Sequence, residues 1–241
     1  LDDKDVYVKE IVIDEKVPVK KLKQVQKKAK NIILFIGDGM SVSQISAFRL
    51  HQGGPNSRVA VDSFPYSGQV LTHSANAIVT DSASSGTAFS TGEKTNNRAL
   101  GVDIKGQPIE NITETLDKSG YVSSVISTSE VTHATPAAFA VHTSSRYLTD
   151  EISIQMTDSK IKNILGGGRK FFIPEEDGGN REDGINLIEK VKSKSRLITD
   201  KSELSNPARY DDSQVFGLFA DEHLRDDSTP ENHSTEPSIE K

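Results

Sequence analysis

The sequence predicts an α/β fold, a mostly parallel central sheet flanked by helices. Three observations lead there. A continuous apolar run at residues 32–36 ends in Gly37-Asp38-Gly39, as a strand buried on both faces would. Strand-like runs then alternate with helix-period segments along the chain. The length, 241 residues, suits one large domain or two small ones.

The elements follow in order. Residues 1–30 form a lysine-rich arm, with Lys16, Lys20, Lys21, Lys23, Lys27, Lys28 and Lys30. It reads as a solvated helix face over Leu22 and Val25, or as a partner-binding arm. Residues 31–220 form the α/β core. After its first strand, Ser41 with Gln44 three residues on makes a capping box, opening a helix with Val42, Ile45 and Phe48 inward. Residues 66–72 read as a strand. Residues 109–119 read as a helix stopped at Gly120, with Ile112 and Leu116 on one side. Residues 121–128 are a strand. Thr135-Pro136 reads as an N-cap with proline at the first helical position. Residues 184–194 are a helix with Ile185, Ile188 and Val191 inward, and residues 215–220 a last strand. Residues 221–241 are polar, with two prolines, and read as a tail or surface loop.

Composition narrows the function. Lysine plus arginine number 29 against 35 acids, a net charge of −6. That balance disfavours nucleic acid as a specific partner, which needs a basic face. No apolar run is long enough for a membrane span. Cysteine is absent, so any metal must bind through Asp, Glu, His, Ser or Thr.

Three segments carry candidate chemistry. Asp38 follows the first strand between two glycines, where ligands gather in open α/β sheets, though Gly-Asp-Gly also makes ordinary turns. In residues 79–87, VTDSASSGT, Ser82 stands at a helix start near unpaired N–H groups that favour phosphate. Asp81 or Ser82 serves equally as a plain N-cap there. In residues 133–146, HATPAAFAVHTSSR, His133 and Thr135 precede a helix and Arg146 offers a fork suited to phosphate. The same residues read blandly as a cap, satisfied polar groups and a surface charge.

Together these segments resemble the alkaline phosphatase family. VTDSASSGT is similar to its active-site serine signature, ILFIGDGM at residues 33–40 to its first metal-binding strand, and residues 133–146 to its phosphate-binding block. GEKTNNRALGVD at residues 92–103 and NILGGGRKFF at residues 163–172 are also family-like. The Gly166–Gly168 triplet reads as a tight turn rather than a phosphate loop.

The resemblance implies metal-dependent hydrolysis of phosphate monoesters with two zinc ions and one magnesium. It makes Ser82 the nucleophile and a zinc ligand. Asp38 would bridge that zinc and the magnesium, and Thr135 would be a magnesium ligand. Arg146 would clamp two phosphate oxygens, with Asp81 orienting the site around it. His133 would stand beside the magnesium site rather than in it. The resemblance further implies a homodimer that is secreted, periplasmic or at the cell surface. The family pattern runs past residue 241, so the chain reads as the N-terminal portion of a longer phosphatase without its C-terminal strands and helices. The absent part would supply the Glu completing the magnesium site and the Asp and His ligands of both zincs. His51, His73, His223 and His233 lack metal-ligand spacing and offer no substitute. Alternatives are a non-catalytic fragment that binds phosphate or one cation, and, within the wider superfamily, a sulfatase. The Asp81-Ser82 pair fits a phosphatase better.

Overall fold

The computed structural model describes residues 29–204, 213–225 and 235–237. Most of the lysine-rich arm therefore lies outside the described residues, as does His233. Two units divide the chain at Gly37/Asp38. In the first, residues 29–37 contain no strand.

The second unit holds a four-stranded parallel sheet, as its sequence pattern predicts. The strands are β1 (Ser124–Glu130), β2 (Asn163–Gly167), β3 (Ser195–Ile198) and β4 (Gln214–Leu218), in the order β1-β2-β4-β3. All three pairings are parallel, with Val125 opposite Ile164, Ile164 opposite Phe216, and Leu197 opposite Phe216. β4 pairs on both sides, so residues 215–218 are buried throughout, as its unbroken apolar character requires. Helices α3 (Ile112–Lys118), α5 (Thr149–Asp158) and α6 (Leu187–Lys194) alternate with the strands. The core gathers Leu100, Val131, Val141, Ile152, Met156, Ile164, Phe172, Leu187, Val191 and Phe216.

Local chemistry sets the helix ends. Asn111 caps α3, its side-chain oxygen accepting from the Thr113 and Glu114 N–H groups. Gly120 stops it with a φ of +77°. Asn186 caps α6, so Leu187, Ile188 and Val191 turn inward, while Ile185 lies before the helix and is exposed. The expected inward Ile185 is thus replaced by Leu187, because the helix begins three residues later than residue 184.

Four other expectations are corrected. Residues 32–36 form no strand, and Ile32, Ile33, Leu34 and Phe35 are 58–85% exposed. Residues 66–72 form no strand, with Tyr66, Val70 and Leu71 exposed. An apolar run becomes a strand only where a neighbour offers matching N–H and C=O groups. Helix α1 (Val42–Gly53) does open with the Ser41–Gln44 capping box, yet none of its residues is buried. Thr135 lies within the short helix α4 (Ala134–Ala137), and His133 takes the cap position without a side-chain hydrogen bond.

The polar stretch from residue 220 is tied down where described. Gly168 N–H donates to the Glu222 carbonyl, Arg169 N–H to that of Ala220, and Leu224 N–H to that of Thr128. A Cβ at Gly167 would overlap the Glu222 carbonyl. The glycine triplet therefore lets this return segment lie directly on the end of β2.

Candidate functional site

Helix α2 (Ser82–Thr91) begins at the VTDSASSGT segment, with Asp81 as its N-cap. One Asp81 oxygen accepts from Ser84 N–H at 3.0 Å. Its small residues are the means of close packing. Ala83, Ser84, Gly86 and Thr87 are buried, and a Cβ at Gly86 would come within 3.0 Å of the Ala138 Cβ. Gly86 so lets α2 and the α4 segment approach. That approach places Ser82 and Thr135 on one carboxylate.

The carboxylate is Asp38. It lies in a turn, followed by Gly39 at φ +65°. Ser82 Oγ donates to its Oδ1 at 3.3 Å and Thr135 Oγ1 to its Oδ2 at 3.0 Å. These residues are 44 and 97 positions apart from Asp38 in sequence. Each hydroxyl thus sits on its own oxygen of one carboxylate, and these hard oxygens are donors suited to part of a cation's shell. Among the described residues, no three His, Asp or Glu side chains cluster as metal ligands. The set thus fits one face of a metal site and cannot by itself complete two zinc shells.

Arg146 stands beside Asp81, its Nη1 3.5 Å from Asp81 Oδ2. Its Nη2 is 3.0 Å from His133 Nε2. A guanidinium has no acceptor, so Nε2 must accept and the imidazole carries its proton on Nδ1. Burial, followed by the Arg146 charge, holds the His133 pKa below its ordinary value, against the opposing pull of Glu130 and Asp38. Burial of Asp81 favours its protonated form. The N–H groups of Ser84 and Arg98, the Ser84 hydroxyl and the Arg146 charge outweigh that, so its pKa lies below normal. Asp81 is therefore a charged anchor for Arg146 at neutral pH.

The structure thus brings Asp38, Asp81, Ser82, His133, Thr135 and Arg146 together. It also adds residues that single segments did not announce. Asn97 and Arg98 hold Asp81 from a loop 16 and 17 residues away. His223, read as tail, pairs with Glu130 at 3.1 Å and meets the His133 ring edge-on at 5.7 Å. Glu130 closing β1 next to the His133 block was the available signal for the first contact. Nothing in the sequence pattern pointed to His223. His51 lies in the last turn of α1, and His73 Nδ1 contacts the Ser74 carbonyl at 3.0 Å.

The fold and site define an α/β protein in which a serine at a helix start, a carboxylate and a guanidinium converge beyond the carboxyl end of a parallel strand. The alkaline phosphatase family model matches residues 29–241, and the chain belongs to that family. It is 36% identical over 226 residues to alkaline phosphatase 4 of Bacillus subtilis, covering 86% of this chain and 47% of that protein. Against the alkaline phosphatase of Escherichia coli it is 34% identical, covering 82% and 48%. Alkaline phosphatase from the Antarctic bacterium TAB5 superposes with a TM-score of 0.66 at 30% identity, covering 75% of this chain and 52% of that one. A histidine-to-aspartate variant of the TAB5 enzyme, with magnesium bound in its M3 site, gives 0.68 at 32%, covering 78% and 52%. The chain spans about half the length of the curated relatives it matches. No helix among the described residues is long and apolar enough to cross a membrane.

Proposed function

We propose that this chain carries the nucleophile and phosphate-binding part of a phosphate monoesterase. The observation that supports it best is the seating of Ser82 Oγ and Thr135 Oγ1 on opposite oxygens of Asp38, with Arg146 anchored by Asp81 nearby. Family membership supports the same reaction class.

Arg146 binds two non-bridging oxygens of the ester through its parallel N–H groups. Asp81 and His133 fix the guanidinium plane, and the start of α2 adds its unpaired N–H groups as further positive potential. Ser82 Oγ gives its proton to solvent and forms a bond to phosphorus while the ester P–O bond breaks. The leaving alkoxide takes up a proton and departs as alcohol. Water then splits the phosphoserine, returning Ser82 and releasing inorganic phosphate. A serine hydroxyl is a weak nucleophile at its own pKa and needs activation. Asp38 and Ser82 would hold a zinc, and Asp38 and Thr135 a magnesium. Bound there, the cations would supply alkoxide stabilisation and offset charge on the attacked phosphate.

The test is an acid quench of the full-length protein, loaded with zinc and magnesium, during turnover of an aryl phosphate at alkaline pH. Peptide mass mapping is expected to find phosphate on Ser82, and Ser82→Ala to abolish both label and turnover. Label on another residue, or full activity in Ser82→Ala, overturns the assignment.

A second reading concerns residues 1–241 taken alone: phosphate or single-cation binding without turnover. It is favoured by the absence of any three-residue His, Asp and Glu ligand cluster among the described residues. The same quench on this stretch alone separates the two. Robust hydrolysis there would show a complete site and remove the second reading.

A further inference from the structure

Asn97 belongs to no step above, yet its side chain grips the start of the nucleophile helix. Its Oδ1 accepts from the Asp81 N–H at 3.2 Å and from the Ser84 hydroxyl at 2.9 Å. Its Nδ2 donates to the Val79 carbonyl at 3.0 Å. One amide thus fastens three points of the segment that carries Ser82. Its own backbone N–H is held by Asn76 Oδ1 at 2.9 Å, so the anchor is itself anchored.

The next residue completes the grip. Arg98 has a φ of +76°, the only non-glycine residue in the left-handed region among those described. That conformation is costly for a side-chain-bearing residue and persists only where its surroundings impose it. Here it turns both backbone groups toward the site. Arg98 N–H donates to Asp81 Oδ2 at 3.1 Å, and its carbonyl accepts from the Arg146 N–H at 2.7 Å. The Arg98 guanidinium lies over the Tyr147 ring, 5.7 Å from its centre. Asp81 is therefore bound on its N–H by Asn97 and on its carboxylate by Arg98, while Arg146 hangs from the same loop. The loop thus touches both the start of the Ser82 helix and the backbone of Arg146.

We propose that Asn97 is a positioning residue for this site. Its amide fixes Asp81, and through Asp81 the alignment of Arg146 with Ser82. The inference rests on the phosphatase reading, and phosphate binding lets it be tested apart from turnover. Losing this alignment should weaken recognition of the phosphate group itself, beyond any effect on folding.

The experiment compares full-length wild type, Asn97→Ala, Asp81→Ala and the double variant, each loaded with zinc and magnesium. The readouts are inorganic phosphate affinity by calorimetry, KM and kcat with an aryl phosphate, metal content and melting temperature. Asn97→Ala is expected to weaken phosphate binding about tenfold and raise KM with its metals retained. The double variant should bind phosphate no worse than Asp81→Ala, because both changes act through one carboxylate. Asn97→Asp keeps the shape and the accepting oxygen but turns the donor to the Val79 carbonyl into an anion beside Asp81. Its loss of phosphate affinity should be at least that of Asn97→Ala. Wild-type phosphate affinity in Asn97→Ala or in Asn97→Asp, or fully additive losses in the double variant, would each overturn the proposal. A wild type that binds phosphate but fails to hydrolyse the ester defeats the phosphatase reading and leaves the Asn97 comparison readable. A wild type that binds no phosphate defeats both.

Discussion

Helices α1 and α2 start from equally good local instructions and end in opposite surroundings. In α1, the Ser41 hydroxyl accepts from the Ser43 N–H at 3.2 Å and Gln44 accepts from the Ser41 N–H at 2.9 Å. In α2, Asp81 performs the same capping task. Yet Val42, Phe48 and Leu50 of α1 are 79%, 51% and 59% exposed, while five of the ten residues of α2 are buried. α1 is fastened at its flank instead, by the two-pronged Arg49–Asp62 pair with contacts of 2.6 and 2.7 Å. Capping decides that a helix begins, and burial needs a second surface of matching shape. Apolar character alone supplied that surface to neither helix. α2 obtained it from Gly86 against Ala138, where the lack of a side chain is what allows contact.

The comparison can be broken most forcefully by truncating one ring on α1 and one in the buried core that also takes in Ala83 of α2. Phe172 is fully buried and meets Phe216 edge-on at 6.1 Å. Phe172→Ala should cost about 3–5 kcal/mol by denaturant titration, and Phe48→Ala on α1 under about 0.5 kcal/mol. Equal costs would mean that the exposed face of α1 is covered. A small cost in this chain with a large one in a longer protein would identify the added part as the cover.

A smaller effect sharpens the functional side of the contrast. Arg146 hangs on the packed region, whereas Asp38 lies in the exposed turn before α1. Arg146→Ala should remove about 1.5–3 kcal/mol of phosphate recognition, roughly one to two decades in kcat/KM, with metal content unchanged. Unaltered inhibition by inorganic phosphate would reduce Arg146 to a structural charge.

The smallest expected effect separates the two caps by pH. Ser41 is neutral. The Asp81 pKa is lowered in the fold, so its stabilisation is present in full above the ordinary carboxylate value of about 3.9 and is lost as pH falls below it. Asp81→Asn should therefore be less stable than the parent by about 1 kcal/mol or less at neutral pH, with the gap closing in acid. Ser41→Ala should show a cost that does not change over that range. A pH-independent gap for Asp81→Asn would mean that its charge contributes nothing to the fold.

Sequence pattern made legible the α/β class with a parallel sheet, the strands β1 and β4, the start of α1 and the stop of α3; β2, β3 and α5 were not read from it, and the site residues were candidates named through resemblance to a family. Those features are written in short-range chemistry: the Ser41–Gln44 capping box, Gly120 where φ must be positive, an apolar run at residues 215–218. The meeting of Ser82 and Thr135 on Asp38 was legible only through resemblance to a family, because contacts across 44 and 97 residues leave no periodic trace. Tertiary structure alone decided which apolar runs found partners. Residues 32–36 and 215–218 both read as apolar runs, yet residues 32–35 are exposed without a ladder and 215–218 are paired on both sides. It also decided the hold of Asn97 and Arg98 on Asp81 and the contact of His223 with Glu130. A side-chain amide or a single left-handed residue has no period and no local partner in sequence, so its role exists only once the chain has folded back on itself.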